Sequence, residues 1–304
     1  MGITNTIKGM IYNTRFYAYY NAYITRQLRN KMKQNGLKSI CEFDWTKHKT
    51  SDTLFILGSG SSIMNLTKED WNQVAKHDSL GFNAWSLHDF VPTYYAIETS
   101  KNKFVANLRK SHLNDRLNDY SNIPIFVQYQ HMLMARINYD DLKLPKENLY
   151  YNAPYMPNTT NLTVLRKLIE HWLKRKENGL CELMHYSSSL SYMIGLGYLM
   201  GYKKIVLLGV DLDNSGYFFE HEKANQRSKE FSIVYQNEIR SSYKPAKDGS
   251  HTTVSKKITA QYGCLPIDVF VKEVHQGLKK AGVELFTGND KSRLYPMLPY
   301  YSIN

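Results

Sequence analysis

The stretch Lys203-Lys204-Ile205-Val206-Leu207-Leu208-Gly209-Val210-Asp211-Leu212-Asp213 decides the fold. Ile205 to Leu208 run apolar without alternation, the pattern of a parallel strand buried on both faces. Gly209 lets the backbone turn sharply, and Asp211 and Asp213 follow where the strand ends. In open α/β sheets that carboxyl end is where ligands sit. Upstream lies Ser187-Ser188-Ser189 and then an apolar run to Gly201-Tyr202. The serines suit a helix N-terminus and Gly201 its end. Serines, helix, strand and Gly-x-Asp make half of a doubly wound sheet with a polar site at its mouth.

Working outward, Thr53-Leu54-Phe55-Ile56-Leu57 reads as a buried first strand followed by Gly58-Ser59-Gly60-Ser61-Ser62. Glycines and small hydroxyls after a first strand let a phosphate approach the backbone, and they equally suit a plain tight turn. The turn is neither a P-loop nor a full GxGxxG. Thr67 and Asp70 form a capping pair for the helix that follows. Ser79 to Trp85, Tyr94 to Ser100 and Ile123 to Val127 read as further strands, with Asn83 and Glu98 near strand ends. Residues 104–118 read as a basic helix, 139–162 as irregular, and Leu162 to Lys176 as an amphipathic helix. A last helix over 267–281 and a strand at 283–286 close the chain. The expected fold is α/β, a mostly parallel sheet flanked by helices and related to the Rossmann class. Residues 46–304 form the domain, with a lid excursion at about 212–255 beyond the central strand.

The chain has 304 residues, enough for one large domain, and 42% of them are apolar, enough for a real core. Cys41, Cys181 and Cys264 show no CxxC spacing, which argues against a zinc site or a disulfide framework and suits a reducing compartment. No apolar run is long enough to span a bilayer and no signal-peptide core is visible, so a cytoplasmic protein is expected. The net charge of +12 is concentrated at the start. Residues 1–38 hold Lys8, Arg15, Arg26, Arg29, Lys31, Lys33 and Lys38 and no acid. Residues 1–45 therefore read as a basic amphipathic arm, with Tyr17, Tyr20, Ile24 and Leu28 at near-helical spacing. Such an arm suits peripheral contact with the inner membrane, or packing on the domain or a partner subunit, including a second copy. No nucleic-acid module follows, and no nucleic-acid partner is expected.

Taken in order, these signals resemble the bacterial sialyltransferases of glycosyltransferase family 42, whose single-sheet fold is GT-A-like. That family opens with an apolar strand and a Gly-Asn-Gly-Pro-Ser turn, matched by Gly58 to Ser62. Its Cys-Asn after the second strand is matched by Phe82-Asn83. Its Thr-Ser-Gly-Val-Tyr-Met, helix, Gly-Tyr-Lys, strand, Gly-Ile-Asp block is matched by Ser188 through Asp211. A Ser-His in its lid matches Ser250-His251, and the tail matches at Gly288 to Ser292 and at Leu298-Pro299. The resemblance spans roughly residues 53–300 and leaves the basic arm unmatched.

It implies transfer, with inversion, of sialic acid or a related sugar acid from a CMP-linked donor to a hydroxyl of a glycan or glycolipid acceptor. Lipopolysaccharide or capsule would be the target. A sugar hydroxyl is a poor nucleophile and needs a positioned base, and imidazole is poised near neutral pH. His251 is the candidate, with His221 and His185 in reserve. The departing phosphate gains charge, and Tyr217 matches one of the family's two tyrosines that meet it; the other aligns with Asp213. Donor-binding candidates are Gly58, Ser59, Gly60, Ser61, Ser62, Asn83, Glu98, Ser188, Ser189, Gly209, Asp211 and Asp213. Ser188 and Ser189 would take the sugar carboxylate, a role compatible with helix capping. Two departures stand out: the family's arginine before the serines is Tyr186, and its third-strand asparagine aligns with Glu98. A CMP donor requires no metal. Alternatively, Asp211-Leu212-Asp213 is a DxD holding Mg²⁺ or Mn²⁺ against a nucleotide diphosphate-sugar, or the chain is a pterin pyrophosphokinase-like enzyme.

Overall fold

Every strand expected from the sequence exists, and one more was hidden. The computed structural model describes residues 15–98, 103–128, 143–213, 216–239 and 251–303. Seven parallel strands form one sheet: β1 (Thr53–Leu57), β2 (Asp78–Phe82), β3 (Tyr94–Glu98), β4 (Ile125–Gln128), β5 (Leu149–Asn152), β6 (Lys204–Leu208) and β7 (Glu284–Thr287). Their spatial order is β5-β4-β3-β2-β1-β6-β7. The order reverses between β1 and β6, which makes the crevice beyond their carboxyl ends the expected ligand position. β5 falls inside the stretch expected to be irregular. It is four residues long among Asn, Pro and Tyr, too short for periodicity to reveal, and it forms by pairing with β4. β2 ends at Phe82, three residues earlier than expected, because Asn83 takes a left-handed φ of 54° and starts a 3-10 turn.

Helices cover both faces. On one face α5 (Leu162–Lys174), α6 (Ser189–Leu199) and α9 (Ile267–Lys280) pack against Leu54, Ile56, Leu80, Ala96, Phe126 and Tyr150. α6 is buried along its whole length, which is why its sequence is apolar all round. On the other face Phe55, Leu57, Val74, Trp85, Tyr95, Ile97 and Val127 form a second core. α2 (Lys68–Val74) begins with the expected capping box, Thr67 and Asp70 each bonding the other's backbone N–H. The expected helix over 104–118 is broken at Arg116, giving α3 (Lys103–Asn114) and α4 (Leu117–Tyr120). The lid region carries α7 (Gln226–Val234), and α8 (Lys256–Gln261) follows it; residues 240–250 lie outside the described ones.

The arm is docked on the domain. Its helix α1 (Arg15–Gln34) buries Leu28 and Met32 in the second core, and Thr25 is buried beside them in sequence. Arg29 reaches the carbonyls of Ala153 and Cys181, and Asn21 donates to Met156 O at 2.7 Å. Gly36, at φ 69°, ends the helix in a Schellman turn: Leu37 N–H meets Met32 O at 3.1 Å and Gly36 N–H meets Lys33 O at 3.0 Å. The chain then covers the outer edge of β5, where Tyr151 N–H donates to Lys38 O at 2.8 Å. Of the expected amphipathic face, Ile24 and Leu28 are thus used for packing on the protein itself. The cysteine reading is corrected as well. Cys41 and Cys181, 140 residues apart, are joined by a disulfide, and only Cys264 is free and buried. Spacing rules concern neighbours in sequence, and this pair meets because the 3-10 turn Ile40–Glu42 packs on the turn Lys176–Glu182 before α6. No helix among the described residues is long and apolar enough to cross a membrane.

Candidate active site at the carboxyl ends of the central strands

The glycine-serine turn after β1 is held tightly against the end of β6. Gly58 N–H donates to Leu208 O and Gly60 N–H to Gly209 O, both at 2.7 Å. Ser61 N–H bonds Gly216 O at 3.2 Å, and Ser62 N–H bonds Asp211 Oδ2 at 3.1 Å. A Cβ at Gly58 would lie 2.4 Å from Gly209 O, and one at Gly60 would lie 2.3 Å from Asp211 Oδ2. Packing of the turn against β6 therefore already demands both glycines. The amides of Gly58, Gly60, Ser61 and Ser62 are thus engaged within the protein. Gly209, at φ 65°, approaches Gly58 from the other side.

Asp211 is buried and ties three segments together. It accepts from Ser62 Oγ at 2.6 Å and from Asn289 Nδ2 at 2.8 Å, besides the Ser62 amide. Leu212, at φ 58°, swings the chain so that Asp213 is exposed. The two carboxylates of Asp-Leu-Asp thus sit in different surroundings.

Tyr217 and His251 meet over this turn. Tyr217 forms a backbone bridge with Gly60, and Phe218 N–H donates to Ser59 O at 3.0 Å, so the segment after β6 lies across the glycine-serine turn. Tyr217 Oη is 3.2 Å from His251 Nε2, although 34 residues separate the two. His251 Nδ1 faces Thr253 Oγ1 at 2.8 Å and accepts Thr253 N–H at 3.3 Å. Thr253 N–H on Nδ1 suits a proton on Nε2, and Thr253 Oγ1 can equally accept one from Nδ1, so the contacts fit either neutral tautomer, with Tyr217 Oη accepting from or donating to Nε2. Burial pushes the imidazole pKa below its usual value, and the Asp213 charge opposes that shift. His251 is therefore a neutral ring in contact with a phenol, at the switch point of the sheet.

A second group sits at the ends of β2 and β3. Asn83 Oδ1 accepts Glu98 N–H at 3.3 Å. Asn83 Nδ2 lies 3.5 Å from Ser189 Oγ, and the Ser189 hydroxyl donates to the Glu98 carboxylate. Ser189, read as a ligand of the sugar carboxylate, has its hydroxyl proton directed at Glu98 here. Ser188 is the N-cap of α6, its Oγ accepting Leu190 N–H at 3.3 Å.

Among the reserves, His185 is buried with Nδ1 3.3 Å from Gln128 Nε2, its pKa lowered by burial against the opposing charge of Glu98. His221 only closes a local turn, accepting Lys223 N–H at 3.2 Å. Ser250 lies outside the described residues. Tyr186 is core: its hydroxyl donates to Thr159 O and accepts Leu265 N–H, both at 2.7 Å. The sequence reading missed Asn289 and Thr253 as site partners. Asn289 stands within the tail match at Gly288 to Ser292, and Thr253 lies two residues from His251.

No family model matches the chain, and no curated protein sequence matches it. Solved structures do. The chain is similar to the monofunctional α-2,3-sialyltransferase Cst-I of Campylobacter jejuni, at 15% identity and a TM-score of 0.43, over 84% of this chain and 82% of that one. It is also similar to the sialyltransferase CstII of Campylobacter jejuni solved with CMP, at 13% identity and a TM-score of 0.42, over 83% and 85% of the two chains.

Proposed function

We propose that the protein is an inverting glycosyltransferase that moves a sugar acid from a CMP-linked donor to a glycan hydroxyl. The observation that carries the reading is the His251–Tyr217 pair seated on the glycine-serine turn, where the strand order reverses. In the reaction the acceptor oxygen attacks the anomeric carbon as the bond from that carbon to the CMP phosphate oxygen breaks. The acceptor's proton goes to an imidazole nitrogen of His251. For Nε2 to take it, the resting proton must sit on Nδ1, and Thr253 Oγ1 at 2.8 Å can hold the ring in that tautomer also. Tyr217, hydrogen-bonded to the same ring, is placed to donate to the departing phosphate as it gains charge. A CMP donor carries a single phosphate, so no metal step is needed.

The acceptor proposed is a bacterial surface glycan at the inner face of the membrane. Supporting this, α1 turns Tyr19, Tyr20 and Tyr23 outward, 75%, 50% and 58% exposed, together with the exposed Arg26, Lys31 and Lys33. Aromatic rings among cations and no acids suit an anionic lipid surface. Binding to vesicles containing anionic lipid, lost at high salt, is the expected result; equal binding to neutral vesicles would refute the contact.

Donor screening by mass spectrometry, with and without EDTA, tests the chemistry. Turnover of a CMP-linked sugar acid unaffected by chelator is expected. Turnover of a nucleotide diphosphate-sugar abolished by chelator would replace this reading with the Asp211/Asp213 metal site.

A further inference from the structure

Where the lid helix α7 meets α3, the joint is filled by the imidazole of His112. Both ring nitrogens are buried, and neither has a hydrogen-bond partner among the described residues. The ring lies edge-on to Phe231 of α7, with centroids 5.5 Å apart, and so packs as an apolar side chain would. Burial of an unpartnered polar ring is costly, and far costlier once the ring is charged. Burial accordingly holds the His112 pKa below its ordinary value. Asp115 from α3 and Glu230 from α7 oppose that shift, while Arg227 from α7 adds to it, and none of the three is bonded to the ring. Asp89, on the turn after β2, pairs with Arg227 at 2.9 Å.

Behind Phe231 the ring contacts run on to the candidate active site. Phe231 meets Phe219 with centroids 4.9 Å apart, and Phe219 stacks on Tyr217 at 5.1 Å with 11° between the planes. Tyr235 closes against Phe219 at 5.3 Å and against Tyr217 at 5.6 Å. Tyr217 is the phenol that touches His251. The aromatic cluster that seats Tyr217 therefore rests, at its far side, on His112. Hydrogen bonds to the domain anchor the first turn of α7, where Asn225 Nδ2 and Ser228 Oγ donate to Leu87 O at 2.9 and 3.2 Å. Further along α7, Phe231 packs into the second core beside His112.

We infer that His112 is a positioning residue for Tyr217: as a neutral ring it seats Phe231 and the aromatic cluster behind it, and on gaining a proton it releases them. The inference rests on the glycosyltransferase reading for what Tyr217 does, and on the ring contacts alone for how Tyr217 is held. The sign of the pH effect follows from burial. The released ring titrates near the ordinary value of about 6.5 and the seated ring below it, so release takes up a proton and seating weakens as pH falls below about 6.5. His251 also gains a proton as pH falls, so a substitution must remove the titration of His112 and keep that of His251.

Hydrogen exchange of the full chain between about pH 7.5 and 5, corrected for the intrinsic pH dependence of amide exchange, tests it. In the unmodified chain the opening of residues 217–234 should grow by up to about tenfold per pH unit below about 6.5, with β1 to β4 unchanged. His112→Phe keeps a ring against Phe231 and cannot gain a proton, and its opening should vary by less than about threefold over the same range. Should α7 of that variant be poorly protected at every pH, the larger ring is not accommodated, and His112→Met, unbranched and adaptable, makes the comparison instead. Opening that ignores pH in the unmodified chain, or that grows equally in the variant that cannot titrate, overturns the inference. Turnover of a CMP-linked sugar acid is measured separately. Its absence beside a pH-dependent release would remove the glycosyltransferase reading and leave the seating of Tyr217 intact, whereas turnover beside pH-independent opening would do the reverse.

Discussion

His251 carries the chemistry proposed, and its surroundings set the pH at which it can work. Burial lowers its pKa, so the ring stays neutral at pH values where an exposed histidine would be charged. The acidic limb of kcat/KM should therefore have its midpoint below about 6.5. The Asp213 charge raises the pKa, so Asp213→Asn should move that limb to still lower pH; an unmoved or upward-shifted limb would remove His251 from the role of base. Replacing His251 with Gln should cost roughly 10²–10⁴ in kcat, the usual worth of a positioned base. Gly60 is equally constrained, for steric reasons. Gly60→Ala places a methyl 2.3 Å from Asp211 Oδ2, and should destabilise the protein by about 1–3 kcal/mol, read as a lower urea midpoint.

At the scale of elements, α1 takes up one of the two roles its sequence suggested, turning one stripe onto the domain. Leu28 and Met32 are nearly as buried as core residues of the sheet. Leu28→Ala should cost about 2–5 kcal/mol of α1 docking. Hydrogen exchange should show this as faster exchange across Arg15–Gln34 with β1 to β4 unchanged; protection lost evenly over the whole chain would mean α1 is part of the global folding unit. The outward stripe, with Tyr19 and Tyr23, stays available for a partner surface. β5 belongs to the same scale, since its outer edge is covered by the residues that follow α1.

Across the whole molecule, two links join distant parts of the chain. One is the Asp211 hub, which ties β1, β6 and the Asn289 tail. The other is the Cys41–Cys181 disulfide, which ties the end of the arm to the approach to α6. Thiol titration in denaturant without reductant should find one cysteine, Cys264, and three after reduction. Three thiols without reductant would mean the two cysteines are merely neighbours. The net charge of +12 acts at this scale too, since a basic protein is drawn toward anionic surfaces whatever its fold.

The parallel sheet, the helix capped at Ser188 and the polar ends of β1 and β6 were all legible in the sequence. Continuous apolar runs bounded by glycine and polar residues are local signals, and burial on both faces leaves a strand no other composition. His251 and Tyr217 could be proposed one at a time, but not their contact, because it depends on how the segment beyond β6 folds back over Gly60. β5, the disulfide, the proton that Ser189 gives to Glu98 and the inward stripe of α1 were decided only in three dimensions. Each is a pairing between residues far apart in the chain, and sequence periodicity carries information only about neighbours a few positions away.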